Sequence, residues 1–334
     1  MKQILLFFSI ALLTFFTATW FLGSNKVYDR IELEINRFEE ELFSITEENV
    51  QNKMLYWEAD YGTFPAVFAS QIMRSGEVKN KEYENELLAF THQKDMREAY
   101  DSTVLLYKDF SSLQYDLELA FGQFSANFPS FPIPEITTFF GGFNYGVVTY
   151  DNNIAIGLEN FLGRNSKFYK YLSDPEYIRF QKQKKFIISN VMEVWFNEHF
   201  QKFLGGRDLL SQIIYKGKVM YFIDKMLRDI PIEDKFRFTK SQMDWVIDNE
   251  ASIWQYLVYE DLLFSKKEDE FRTFVNYAPF AKGMPNEAPA RVAYYTGYQM
   301  VCEYMKNNEI NIEELMYLTD SRQFLQQSKY KPTK

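Results

Sequence analysis

The sequence predicts an α+β fold, a small and mostly antiparallel sheet followed by a larger helical part. Between residues 135 and 158, short β-branched or aromatic runs alternate with Gly-rich and Asp-Asn-Asn turns, the punctuation of strands. After about residue 175, apolar residues recur at three- and four-residue spacing almost to the end, the period of helices with one face on a core. No repeat, low-complexity tract or linker divides the body. Residues 26–334 therefore read as a single domain, its sheet-containing half reaching about 160 and its helical half starting after about 175.

The chain opens with "ILLFFSIALLTFFTATWFLG" (4–23), so residues 1–25 read as a signal peptide or an N-terminal membrane anchor. A buried helix of the mature fold is the alternative. Either of the first two readings places the rest of the chain outside the cytoplasm, in the cell envelope. "RIELEINRF" (30–38) alternates Ile31, Leu33 and Ile35 with polar residues, the pattern of a half-buried strand. Helical character follows, continuing through "MLYWEADYGTFPAVFASQIM" around Pro65, and the charged residues 76–86 read as a surface loop.

The spacing over 101–127 predicts one helix or two short ones, stopped by "FPSFPIP". "EITTFFGGF", "GVVTY" and "NIAIGL" read as three strands, the last two a hairpin. Helices are then expected near 176–203, 207–228, 239–264, 288–307 and 311–326, with "PFAKGMPNEAP" (279–289) as a long surface loop.

Composition narrows the function. With 37 basic against 46 acidic residues the formal charge is -9, so no positive field draws in nucleic acid. A single cysteine, Cys302, rules out an internal disulfide and a thiolate metal cluster. The two histidines, His92 and His199, are too far apart in sequence for a standard His-based zinc motif. No phosphate loop, dinucleotide fingerprint or serine-nucleophile elbow is present, and no cofactor is expected.

Two helices hold the polar exceptions. In "LLSQIIYKGKVMYFIDKML" (209–227) the apolar stripe Leu209, Ile213, Met220, Ile223, Leu227 is interrupted by Lys216, with Gly217 beside it. A mid-helix glycine costs about 1 kcal/mol relative to alanine, so Gly217 points to close backbone approach. In "KFIISNVMEVWFNEHF" (185–200) apolar residues cover every face, leaving Ser189, Asn190 and Glu193 as exceptions. A buried carboxylate needs a partner.

The order of "AIGLENFLG", "FIISNVME" and "LLSQIIYKGKVMYF" resembles the layout of gluzincin-type zinc metallopeptidases, which implies a degenerate zincin-like fold. On that resemblance the metal-ligand histidines fall on Ser189 and Glu193, the catalytic glutamate on Asn190 and the third ligand on Lys216. Every catalytic and metal position would be replaced, and an ammonium cannot ligate zinc. Lys216 and Glu193 are then candidates for an internal ion pair in the degenerate cleft. Alternatively, Lys216 lays its methylenes on the stripe and keeps its ammonium in water.

More specifically, "RFEEELF" (37–43), "GLENFLGRNSKFYKYL" (157–172), "IIYKGKVMYFIDKML" (213–227), "SQMDWVIDNEASIWQYLV" (241–258), "NYAPFAKGMPNEAPARVAYYTGYQMVCEYMKNN" (276–308) and "SKYKP" (328–332) make the chain resemble the gliding-motility lipoprotein family GldB of the Bacteroidota. That resemblance implies a non-enzymatic component of the gliding and type IX secretion-associated apparatus. Its implied partners are other envelope proteins of that apparatus, with the membrane held through the N-terminal segment. Ser24 departs from the family's lipidated cysteine. The alternatives are a hydrolase using Glu193 with other carboxylates, or a peptide- or glycan-binding module in the old cleft. Arg291, Tyr294, Tyr295 and Tyr298 are candidate partner-binding residues, because Arg and Tyr are the types that anchor interfaces. The structural alternative is that Arg291 caps or pairs near its own helix.

Overall fold

The structure, a computed structural model, describes residues 30–75 and 80–332. The expected leader over residues 1–25 lies outside them. Among the described residues no helix is long and apolar enough to cross a membrane.

Four strands form one sheet in the order β1-β2-β4-β3: β1 (Ile35–Arg37), β2 (Ile136–Phe139), β3 (Val147–Tyr150) and β4 (Asn153–Gly157). The α+β class holds, but the sheet is mixed and not mostly antiparallel. β1 pairs parallel with β2 and β2 parallel with β4, while only β3 and β4 run antiparallel. The long helical excursion between β1 and β2 gives the chain room to re-enter in the same direction, which a tight turn cannot do. The expected β3–β4 hairpin forms. Asp151 and Asn152 occupy its two-residue turn with φ of 44° and 61°, the left-handed pair that matches strand twist.

Alternation along the strands splits the interior into two cores. Ile136, Ile154 and Ile156 face a large core, and Phe139, Tyr150 and Ala155 face a smaller one. In the smaller core Phe38 is ringed edge-on by Trp57, Tyr61, Phe64 and Phe68, with centroids 5.0, 5.2, 5.2 and 5.1 Å away. The stretch read as a loop at 76–86 contains the start of a helix, Lys81–His92, capped by Asn80, whose side chain accepts from the Tyr83 amide at 2.8 Å. Tyr83, Glu84 and Leu87 turn one face of it inward.

The large core is built on α1 (Ser111–Asn127), α2 (Ile187–Phe200), α3 (Leu209–Met226) and α4 (Val292–Asn307), with α5 (Lys240–Asp248), which lies between α3 and α4 in the chain, at its edge. Gly217 of α3 meets Gly297 of α4 backbone to backbone. A Cβ on Gly217 would fall 2.8 Å from the Gly297 Cα, and one on Gly297 would fall 2.9 Å from the Gly217 Cα. This crossing is what the mid-helix glycine permits.

Where β4 ends, Glu159 is fully buried and accepts from the Gly141 and Phe143 amides at 2.8 and 3.0 Å. Burial outweighs those bonds and pushes its carboxyl up to about 7. The folded protein therefore holds a proton that the unfolded chain has released above pH 4.5, and stability falls as pH rises from 4.5 to about 7. Glu159→Gln keeps both accepted bonds. It is expected to flatten that slope, a gain on the order of 2–3 kcal/mol at pH ~8, read by urea unfolding across pH.

Candidate functional site

Glu193 sits at the meeting point of α2, α3, α4 and the short turn between Phe236 and α5. Its Oε2 pairs with the Arg237 guanidinium, and its Oε1 accepts from the Tyr294 hydroxyl at 3.0 Å. Lys216 brings Nζ to 3.8 Å from Oε1, so the expected ion pair between α2 and α3 forms and the lysine does not simply reach out to water. The Lys216 ammonium also lies 5.1 Å from the Tyr294 ring centroid. Asn190, one turn before Glu193, accepts from Arg237 and donates to the Phe186 carbonyl at 2.8 Å. Of the four expected cleft residues, Asn190, Glu193 and Lys216 come together. Ser189 does not join them, since its hydroxyl is buried against the Phe186 carbonyl.

Electrostatics fix the ionisation of this cluster. Burial pushes the Glu193 carboxyl up, but Arg237, Lys216 and Arg291 together with the Tyr294 hydroxyl outweigh it and hold the pKa at about 2. Burial also works against the charge on Lys216, and its neighbours Tyr294 and Glu193 more than restore it. Glu193 is thus a permanent anion with both oxygens engaged. Among the described residues no three His, Cys, Asp or Glu side chains gather as a metal site.

Arg237 is a member of this cluster that sequence reasoning missed. It ends the helix Ile232–Phe236 in the left-handed region, φ 55°, between two buried phenylalanines. The signal was present: an arginine flanked by Phe236 and Phe238, just ahead of the Thr239–Gln242 capping box, must find a partner if its neighbours are buried.

Arg291, Tyr294 and Tyr295, expected as partner-binding residues, are 2%, 4% and 5% exposed, and Tyr298 is only partly exposed. They are interior because α4 is a core helix, pressed against α3 at the glycine crossing. Tyr298 donates to Asp224 at 3.1 Å, and Tyr295 accepts from Gln299 at 2.7 Å. Arg291, at φ 67° just before α4, donates Nη1 to the Phe236 carbonyl at 2.9 Å. Its guanidinium lies over the rings of Tyr294 and Tyr277, 3.9 and 4.6 Å from their centroids.

Arg237, Arg291 and Tyr277 also line a cavity of about 490 Å³ that opens beside the cluster. The sequence profile of the family described as Gliding motility protein GldB matches residues 24–332. The chain belongs to the GldB family. No curated protein and no solved structure matches it. Membership makes this a gliding motility-associated protein of the cell envelope. In this GldB-family chain the match takes in both cores, the charge cluster and the cavity.

Proposed function

We propose that the protein is a non-enzymatic component of the gliding apparatus that works through contacts with other envelope proteins of that apparatus. The observation carrying this reading is the state of Glu193. A general base or acid needs a pKa near the working pH, and a nucleophile needs an oxygen free to attack. Glu193 has neither, with a pKa of about 2 and both oxygens held. The same donor set speaks against a peptidase metal. A carboxylate already neutralised by a guanidinium and an ammonium, with Asn190 turned to Arg237, offers no ligand triad for zinc. In this reading the cluster is the remnant of a zincin-like centre, with cations standing where a metal would.

The test is complementation of a strain lacking the protein with Glu193→Gln/Lys216→Met, a double variant that keeps an oxygen for Arg237, turns an amide N–H to the Tyr294 hydroxyl, which can accept it, and removes the carboxylate. Gliding at the parental speed is expected once the variant is shown to be exported and folded. Loss of gliding by a folded, exported variant would mean that the carboxylate does chemistry.

A further inference from the structure

Beside the cavity, cations outnumber the carboxylate that pairs with them. Arg237 and Arg291 are 3% and 2% exposed, yet Nε of Arg237 and both Nε and Nη2 of Arg291 have no hydrogen-bond partner. Buried guanidinium N–H groups are costly to leave without an acceptor, and both of these arginines line the cavity. Charge gives the same answer. Arg237, Arg291 and Lys216 carry three positive charges, and Glu193 supplies one negative. No carboxylate among the described residues pairs with Arg291. The one carboxylate on the cavity wall, Glu176, is bound to Arg164 at 2.6 Å.

Other features point the same way. Thr239, the N-cap of α5, and Gln242 in its first turn line the cavity, so the positive end of that helix faces it. The remaining wall is aromatic and proline-rich, including Tyr177, Phe180 and Tyr277. A volume of about 490 Å³ is far more than a bare ion needs and suits a small organic molecule.

We propose that this cavity is a binding site for an organic oxyanion, a carboxylate or phosphate group carried on an apolar or ring-bearing body, with Arg291 and Arg237 gripping the anion and Tyr277 and Phe180 contacting the body. Arginine forks suit both anions. The site stands on the cavity itself and does not depend on the protein being non-catalytic.

The experiment is titration calorimetry on the full-length protein in detergent with four probes: phenyl phosphate, 3-phenylpropanoate, inorganic phosphate and the uncharged 3-phenylpropanol. At least one of the two organic anions is expected to bind with a sub-millimolar Kd, at least tenfold tighter than the alcohol and tighter than inorganic phosphate. Preference between the two names the anion. Arg291→Lys, which keeps the charge and removes the fork, is expected to weaken binding at least tenfold. Should that variant fail to fold, the comparison of charged and neutral probes on the unaltered protein still decides. No binding of either organic anion at ~10 mM, equal binding of the alcohol, or undiminished binding by folded Arg291→Lys would overturn the assignment.

Discussion

Gly217→Ala is expected to destabilise the protein by about 3 kcal/mol or more, although alanine is the better helix former by about 1 kcal/mol. The added methyl would collide with the backbone of α4 at Gly297, and backbone cannot swing aside as a side chain can. To admit it, α3 and α4 must separate, and both contribute most of their length to the large core. Gly297→Ala should cost a similar amount, because its methyl meets α3 at Ile213 and Gly217. The double variant should cost clearly less than the sum, since the first substitution already opens the crossing. Urea unfolding of the four proteins checks this. Additive losses would show that the helices do not meet through these two residues.

Arg237→Met is expected to cost about 3–5 kcal/mol, the penalty for leaving a buried carboxylate without its main partner. The loss has a pH signature. The folded-state pKa of Glu193, about 2, lies below the unfolded 4.5, so its contribution is fully present above pH 4.5 and is lost as pH falls toward 2. In Arg237→Met that acid-side loss should shrink, because the carboxyl is no longer held so far down. Adding Glu193→Met should recover most of the lost stability, since it removes the stranded charge. A double variant no more stable than Arg237→Met would mean that the arginine's stabilising role lies elsewhere, for instance in its bond to Asn190.

How far the sequence reached depended on whether the signal was local. The β3–β4 hairpin was legible because Asp151 and Asn152 are residues that tolerate left-handed backbone between two β-branched runs. The parallel pairing of β1 with β2 was not, since alternation of side chains says nothing about strand direction. Gly217 announced a close approach but not its partner, which lies on a helix 80 residues later.

At the site, Glu193 and Lys216 could be paired on paper because each interrupts an apolar helix. Arg237 escaped notice because it reaches the cluster from the short turn between Phe236 and Lys240, whose direction only the fold sets. Tyr294 and Arg291 are of types that suit interfaces, although for Arg291 the sequence also allows a cap or pair near its own helix. The helix packing that buries them is a long-range property.

The most direct test of the account is the ionisation of Glu193, followed by ¹³C NMR of the side-chain carboxyls and assigned by difference from Glu193→Gln. The account predicts a carboxylate signal that shows no titration step of its own between pH ~4 and ~9. A midpoint within that range, near the pH at which an acid or base catalyst works, would contradict it and favour the alternative of a hydrolase using Glu193.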